Sequence, residues 1–280
     1  QAPPDGEVDG GGRGAGLGGP RAPAPAPALE APREFNRMGL HDGTCFFINL
    51  DRRQDRLKSM ERVVARQRWL TTSMRRIQAV DGKDLTWPQL VGDRLLAPEA
   101  EVEALRAEHQ RRPTSGASFA ERSTRVTLGA CACTLSHRKA WQSLVDGDAG
   151  WALVLEDDVS AVSQCFDDEL KAVLRMLPRV WHICYLGFYG GELLPDGSSF
   201  KGPFIHLNSN DGWVPGLYGY LISKAFAETL LQRTLPMAAQ LDAVVGCLAA
   251  GLEHGYAVPS EQQLLQSPPP EESGDTDVQA

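Results

Sequence analysis

The 280 residues are 42% hydrophobic and 23% charged, the make-up of an ordinary globular protein with room for one domain of roughly 200 residues and tails. A formal net charge of -8 is opposite to what a general attraction to nucleic acid requires, and no apolar run reaches the roughly 20 residues that span a bilayer. The six cysteines are too sparse for a disulfide scaffold, and most sit in apolar stretches where a buried thiol is expected.

Residues 1 to 40 begin "QAPPDGEVDGGGRGAGLGGPRAPAPAPALE", a Gly-rich block followed by alternating Pro and Ala. With almost nothing to bury, this segment reads as a disordered stem or linker. "TCFFINL" (44 to 50) is a short apolar strand running into "DRRQDRLKSMERVVARQ", where Leu57, Met60 and Val64 recur at helical spacing. Asp51 and Gln54, three apart at the junction, have the spacing of a capping box. "PEAEVEALRAEHQRR" is predicted helical and "PTSGASFAERST" an exposed loop. "LGACACTLSHRKAWQSLV", if helical, puts Cys133, His137, Trp141 and Leu144 on one stripe. "WALVLE" is the next clear strand; Phe166, Leu170, Val173, Leu174 and Leu177 then mark a helix closed by Pro178. "VWHICYLGF" (180 to 188) is a third strand, "GLYGYLI" leads into a helix that Ser223 can cap, and "GYAVP" (255 to 259) is a last short strand. This rhythm predicts an α/β domain over residues 41–266, a mainly parallel mixed sheet flanked by helices, with an acidic disordered tail over 267–280.

Ligands collect at the carboxyl ends of strands in such sheets, and two strands end in polar clusters. "FFINLDRRQDR" places Asn49 and Asp51 at a strand end with Arg52, Arg53 and Arg56 in the first turns of the next helix, where free amides and guanidinium groups suit a phosphate. Asp51 is equally explained as a helix cap. "GWALVLEDDVSAV" ends in Glu156, Asp157 and Asp158. Three adjacent carboxylates repel one another, and a hard divalent cation bound through oxygen relieves that repulsion. In extended chain Glu156 and Asp158 face one side and Asp157 the other, although spacing alone does not assign their tasks. Cys133 and His137 are spaced as two metal ligands can be, but no second pair completes a structural zinc set. A lone histidine on such a helical face, as His137 is, is more often a hydrogen-bonded core residue than a catalyst. Asp211, in the loop "NSNDGWVPG", and Asp242, in "QLDAVVGCL", are carboxylates that can serve as a general base. A turn explains the first and a helix N-cap the second.

The ordered series "FFINLDRRQDR", "AVDGKDL", "LGACACTLSHRKAW", "ALVLEDDV", "CYLGF", "GYLISKAFAETLL", "LDAVV" and "AVPSEQQLLQ" resembles glycosyltransferase family 25 over residues 43 to 266. That family contains bacterial lipooligosaccharide galactosyltransferases and animal collagen hydroxylysine galactosyltransferases. The resemblance implies a GT-A-like nucleotide-sugar-binding domain, with UDP-galactose as donor and Mn2+ (or Mg2+) as cation. It implies an inverting transfer of the hexose to a hydroxyl on a glycan, a glycolipid or a hydroxylysine-containing protein. By it, Asp158 with Glu156 takes the metal. Asn49, Asp51, Arg53, Arg56, Ser136, His137 and Asp157 lie toward the nucleotide. Asp242, ahead of Asp211, is the base. Relatives often follow that aspartate with glutamate, where this chain has Ala243.

Two other readings compete. A magnesium phosphotransferase is disfavoured because the first strand offers "NLDRR" rather than Asp-x-Asp followed by Thr or Val. A catalytically silent relative would bind a glycan or a protein through the donor cleft. A Pro/Ala/Gly stem before a sugar-transfer domain suits the lumen of the endoplasmic reticulum or Golgi, although the chain opens on Gln1 and shows no targeting segment.

Overall fold

The computed structural model describes residues 39–98, 100, 126–189, 200–201, 203–207 and 214–268. Residues 1–38 of the segment read from sequence as a stem, most of the helix and loop read after residue 98, and the end of the tail lie outside these residues, as does Asp211. In chain order the elements are β1 (Gly43–Asn49), α1 (Gln54–Val64), α2 (Arg68–Ser73), β2 (Met74–Gln78), α3 (Trp87–Gly92), α4 (Leu128–Asp146), β3 (Trp151–Glu156), β4 (Ala161–Val162), α5 (Phe166–Met176) and β5 (Ile183–Gly187). They continue with β6 (Phe200–Lys201), β7 (Phe204–Leu207), β8 (Gly219–Ser223), α6 (Lys224–Arg233), α7 (Leu241–Gly251), β9 (Gly255–Ala257) and β10 (Leu265–Gln266).

Eight strands form one mixed sheet in the order β2-β1-β3-β8-β5-β9-β7-β6. β1 pairs in parallel with both β2 and β3, β8 runs antiparallel between β3 and β5, and β9 returns parallel to β5. Alternation along the central strands sorts their side chains to two apolar faces. Cys45, Phe47, Leu153, Leu155, Cys184, Leu186 and Leu221 meet Met60, Val64, Leu70, Phe166 and Leu170 from α1, α2 and α5. Phe46, Ile48, Ala152, Val154, Ile183, Tyr185, Tyr220 and Ile222 meet Trp141, Leu144, Phe226, Leu230, Val245 and Ala249 from α4, α6 and α7. Both faces are therefore covered, and the central strands read as nearly continuous apolar runs. The mixed sheet flanked by helices is the α/β architecture expected from sequence, and it is consistent with a GT-A-like glycosyltransferase. It is not mainly parallel, however, because β8 runs antiparallel to both β3 and β5 and β7 antiparallel to both β9 and β6. No described helix is long and apolar enough to cross a membrane.

The register sets the site. Ile48 pairs with Glu156, so β1 and β3 end nearly level, with Asn49 closing β1 beside the turn that begins at Asp157. The carboxyl end of β2, at Gln78, pairs with Asn49. Residues 157 and 158 are in a turn rather than a strand, so the alternation expected across the three acids stops at Glu156.

Two helix starts differ from their sequence readings. α1 begins at Gln54 with Arg53 at its N-cap, and the Gln54 amide donates to the Asp51 carbonyl rather than closing a box. Asp242 lies inside the first turn of α7, whose N-cap is Gln240. Ser223 does cap α6, its hydroxyl accepting from the Phe226 amide at 3.2 Å.

Behind the site, β5 and β8 press against the β10 segment. A Cβ on Gly187 would strike the Tyr218 ring and lie 2.7 Å from the Leu265 carbonyl oxygen, and neither neighbour is a flexible chain end. Gly187→Ala is expected to lower stability by about 1–3 kcal/mol, the usual cost of overpacking. A shift of the urea midpoint to lower concentration checks this; an unchanged midpoint contradicts it.

Candidate functional site

The three acids at the end of β3 have three different sets of partners. Asp157 turns toward β1 and α1: its Oδ2 accepts from the Asn49 amide at 2.8 Å and its Oδ1 from the Arg56 guanidinium at 2.6 Å. Burial pushes its carboxyl above the ordinary value, while Arg56 and Asn49 pull it back down. Asn49 is fully buried. Its side-chain oxygen accepts from Arg76 Nε at 2.9 Å, so β2 locks the amide in the orientation that donates to Asp157.

Asp158 is the least satisfied of the three. Its Oδ2 accepts a long hydrogen bond of 3.3 Å from the Tyr189 hydroxyl, which also meets Ser267 Oγ at 2.8 Å. Its Oδ1 is buried and makes no hydrogen bond among the described residues. Burial first, then the charge of Glu156, pushes its carboxyl up to about 7. A buried carboxylate oxygen without a partner beside a second carboxylate is a donor set that fits a hard divalent cation.

Glu156 faces α4, where its Oε1 lies 2.8 Å from His137 Nε2. Cys133, one turn earlier on α4, brings a third candidate ligand atom, and the three lie within 4.8 Å of one another. Burial and the charges of Glu156, Asp242 and Asp158 push the Cys133 thiol well above its ordinary value in the metal-free protein, so a metal bound there would have to displace the thiol proton. Glu156 is thus shared by two candidate donor sets, the softer one with Cys133 and His137 and the all-oxygen one with Asp158.

Asp242 enters from α7, which packs on the same face of the sheet as α4. Its Oδ1 accepts from the Ala243 amide at 2.8 Å and its Oδ2 from the Gly216 amide at 3.4 Å. Gly216 has a φ of 88°, and a Cβ there would lie 2.7 Å from the Tyr189 ring. Only glycine lets this segment approach both Asp242 and the tyrosine beside Asp158. Burial raises the Asp242 carboxyl above its ordinary value, the two amides lower it, and the charge of Glu156 raises it further.

The remaining candidates divide. Asp51 is 60% exposed, and its oxygens accept from Arg76 and Gln78, both at 2.6 Å, so it braces β2 against the end of β1. Arg53 pairs with Asp55 at 2.8 Å. Ser136 is buried, donating to the Ala132 carbonyl at 2.7 Å while accepting from the Val80 amide at 2.8 Å; it ties α4 to the loop after β2. Sequence reasoning passed over Arg76, Tyr189, Gly216 and Tyr220. Each acts through a partner far away in the chain, and only the two arginines in "SMRRIQAV" hinted at one of them.

A buried amide at the end of β1, an acidic end to β3 and a carboxylate at the start of α7 are the polar groups gathered here, and the family comparison makes their bearer a glycosyltransferase. The chain belongs to glycosyltransferase family 25: the model of "Glycosyltransferase family 25 (LPS biosynthesis protein)" matches residues 43–189, just over half of it. Among individual proteins, it is similar to procollagen galactosyltransferase 1 of Danio rerio, with 28% identity over 204 residues, 72% of this chain. The matched region spans only 30% of the length of that relative.

Proposed function

We propose that the chain transfers a hexose, galactose before others, from a UDP-sugar to an acceptor hydroxyl by inverting displacement with a bound Mn2+ (or Mg2+). The observation that carries this is the grip of Asn49 and Arg56 on Asp157 where β1 and β3 end, next to Glu156 and to an Asp158 with one oxygen buried and unpartnered. Asp158 and Glu156 would hold the cation, which when bound supplies Lewis-acid stabilisation of the charge on departing UDP. Arg56 and Asn49 hold Asp157 at the nucleotide end of the cleft. Asp242 takes the proton from the acceptor hydroxyl. Its burial makes it a stronger base than an exposed aspartate, as general-base catalysis near neutral pH requires.

The name of the Danio rerio relative supports galactose and a collagen-type acceptor, and the family description supports a bacterial glycan or glycolipid. A stem of residues 1–40 ahead of a domain over 41–266 suits a luminal enzyme of the endoplasmic reticulum or Golgi. Incubation with Mn2+ and a panel of UDP-sugars should release UDP slowly from UDP-galactose and not from the others. An acceptor panel of hydroxylysine peptides, free sugars and glycolipids then names the acceptor. Binding of UDP-galactose with no release of UDP on any acceptor would instead establish a silent binding module.

A further inference from the structure

We propose that Tyr220 and Trp141 are positioning residues that act through His137 to hold Glu156 in place. This rests on the reading of Glu156 as a donor-site carboxylate. Trp141 Nε1 lies 2.9 Å from the Tyr220 hydroxyl oxygen, which lies 2.8 Å from His137 Nδ1, and His137 Nε2 lies 2.8 Å from Glu156 Oε1. Trp141 and Tyr220 are fully buried and His137 is 1% exposed.

The donor inventory orients this chain in one direction. An indole N–H can only donate, so the Tyr220 oxygen accepts from Trp141. The single Tyr220 proton then goes to His137 Nδ1, the remaining acceptor among its described contacts. Nδ1 accepts, so the neutral ring carries its proton on Nε2 and donates it to Glu156. Every polar group in the relay is satisfied, which a low-dielectric interior demands of such chains.

The relay has a consequence that a merely core-filling histidine would lack. It ends not on another buried group but on a carboxylate 27% exposed at the mouth of the site. One oxygen of Glu156 is committed to His137, so the other is the one offered to a cation. α4 supplies His137 and Trp141 one turn apart and β8 supplies Tyr220, so helix-to-sheet packing sets the angle of a ligand neither element carries. Partners of this kind behind a metal ligand typically change metal affinity about 10–100-fold when removed.

The test titrates Mn2+ alone into wild type, Tyr220→Phe, His137→Gln and His137→Leu, and records 15N spectra of histidine-labelled, metal-free protein. In wild type, the signal lost in His137→Gln should carry the Nε2–H signature. Tyr220→Phe and His137→Leu should each weaken Mn2+ binding by about 10-fold or more. His137→Gln, whose amide can still donate to Glu156, should stay near wild type. An Nδ1–H signature, or equal affinity in all four proteins, overturns the relay. A thiolate charge-transfer band on adding Co2+ would also overturn it by placing a metal on Cys133. If wild type binds no Mn2+, the donor-site reading fails, and the tautomer signature still decides whether the relay exists.

Discussion

Asp158→Asn is expected to abolish stabilisation by Mn2+ and UDP while making the metal-free protein more stable at pH 7 and above. The reason is a carboxylate with one oxygen buried and unpartnered and the other held by a long bond from Tyr189. In the native state burial and Glu156 hold its proton up to about 7, against 3.8 ordinarily. Between these values the folded protein binds a proton that the unfolded chain has released, so stability falls as pH rises through this window. The span amounts to a few kcal/mol at most, at about 1.4 kcal/mol for each pH unit. Mn2+ competes with that proton, so its apparent affinity should climb up to about pH 7 and then level off. Thermal melts from pH 4 to 8, with and without Mn2+, read both effects. A wild-type slope that survives in Asp158→Asn would remove Asp158 as its source.

The second large effect concerns the acceptor side. Asp242→Asn preserves the shape of the side chain and an oxygen able to accept from the Ala243 amide, but removes a base. Transfer should fall by about 10²–10⁴-fold, the usual worth of general-base catalysis, with kcat carrying the loss and Mn2+-dependent UDP binding unchanged. Transfer retained within a few-fold would exclude Asp242 as the base, and Asp211, outside the described residues, would be the next carboxylate to replace. The presence of Ala243 where relatives often carry glutamate makes this variant informative, since Asp242 has no acidic neighbour in sequence to take over its task.

Much of the scaffold was legible in advance because its signals are local. β1, β3, β5 and β8 are apolar runs buried on both faces, and α1, α5 and α6 show a helical period or a cap. β2 escaped because "MRRIQ" is half-exposed at the sheet edge and shows no apolar run. The two-residue strands β4, β6 and β10 are defined only by their partners.

The site was legible as a set of residues but not as a set of contacts. The acids and arginines stood out by charge. That Asp157 belongs to Arg56, Glu156 to His137 and Asp158 to Tyr189 depends on neighbours 101, 19 and 31 residues away. The alternation argument failed for a physical reason: β3 stops at Glu156, and a turn then aims the next two acids independently of the pleat. The histidine weighed against a plain core role is indeed buried and fully bonded, yet one of its bonds reaches the acidic cluster.

The central claim is that the carboxyl ends of β1 and β3 form a metal-dependent nucleotide-sugar site. Calorimetric titration of UDP into the protein, with Mn2+ and with chelator, tests it most directly when repeated on Asp158→Asn. Saturable binding only in wild type with Mn2+ is the predicted result. UDP binding that is equally tight in chelator, or undiminished in Asp158→Asn, would contradict it.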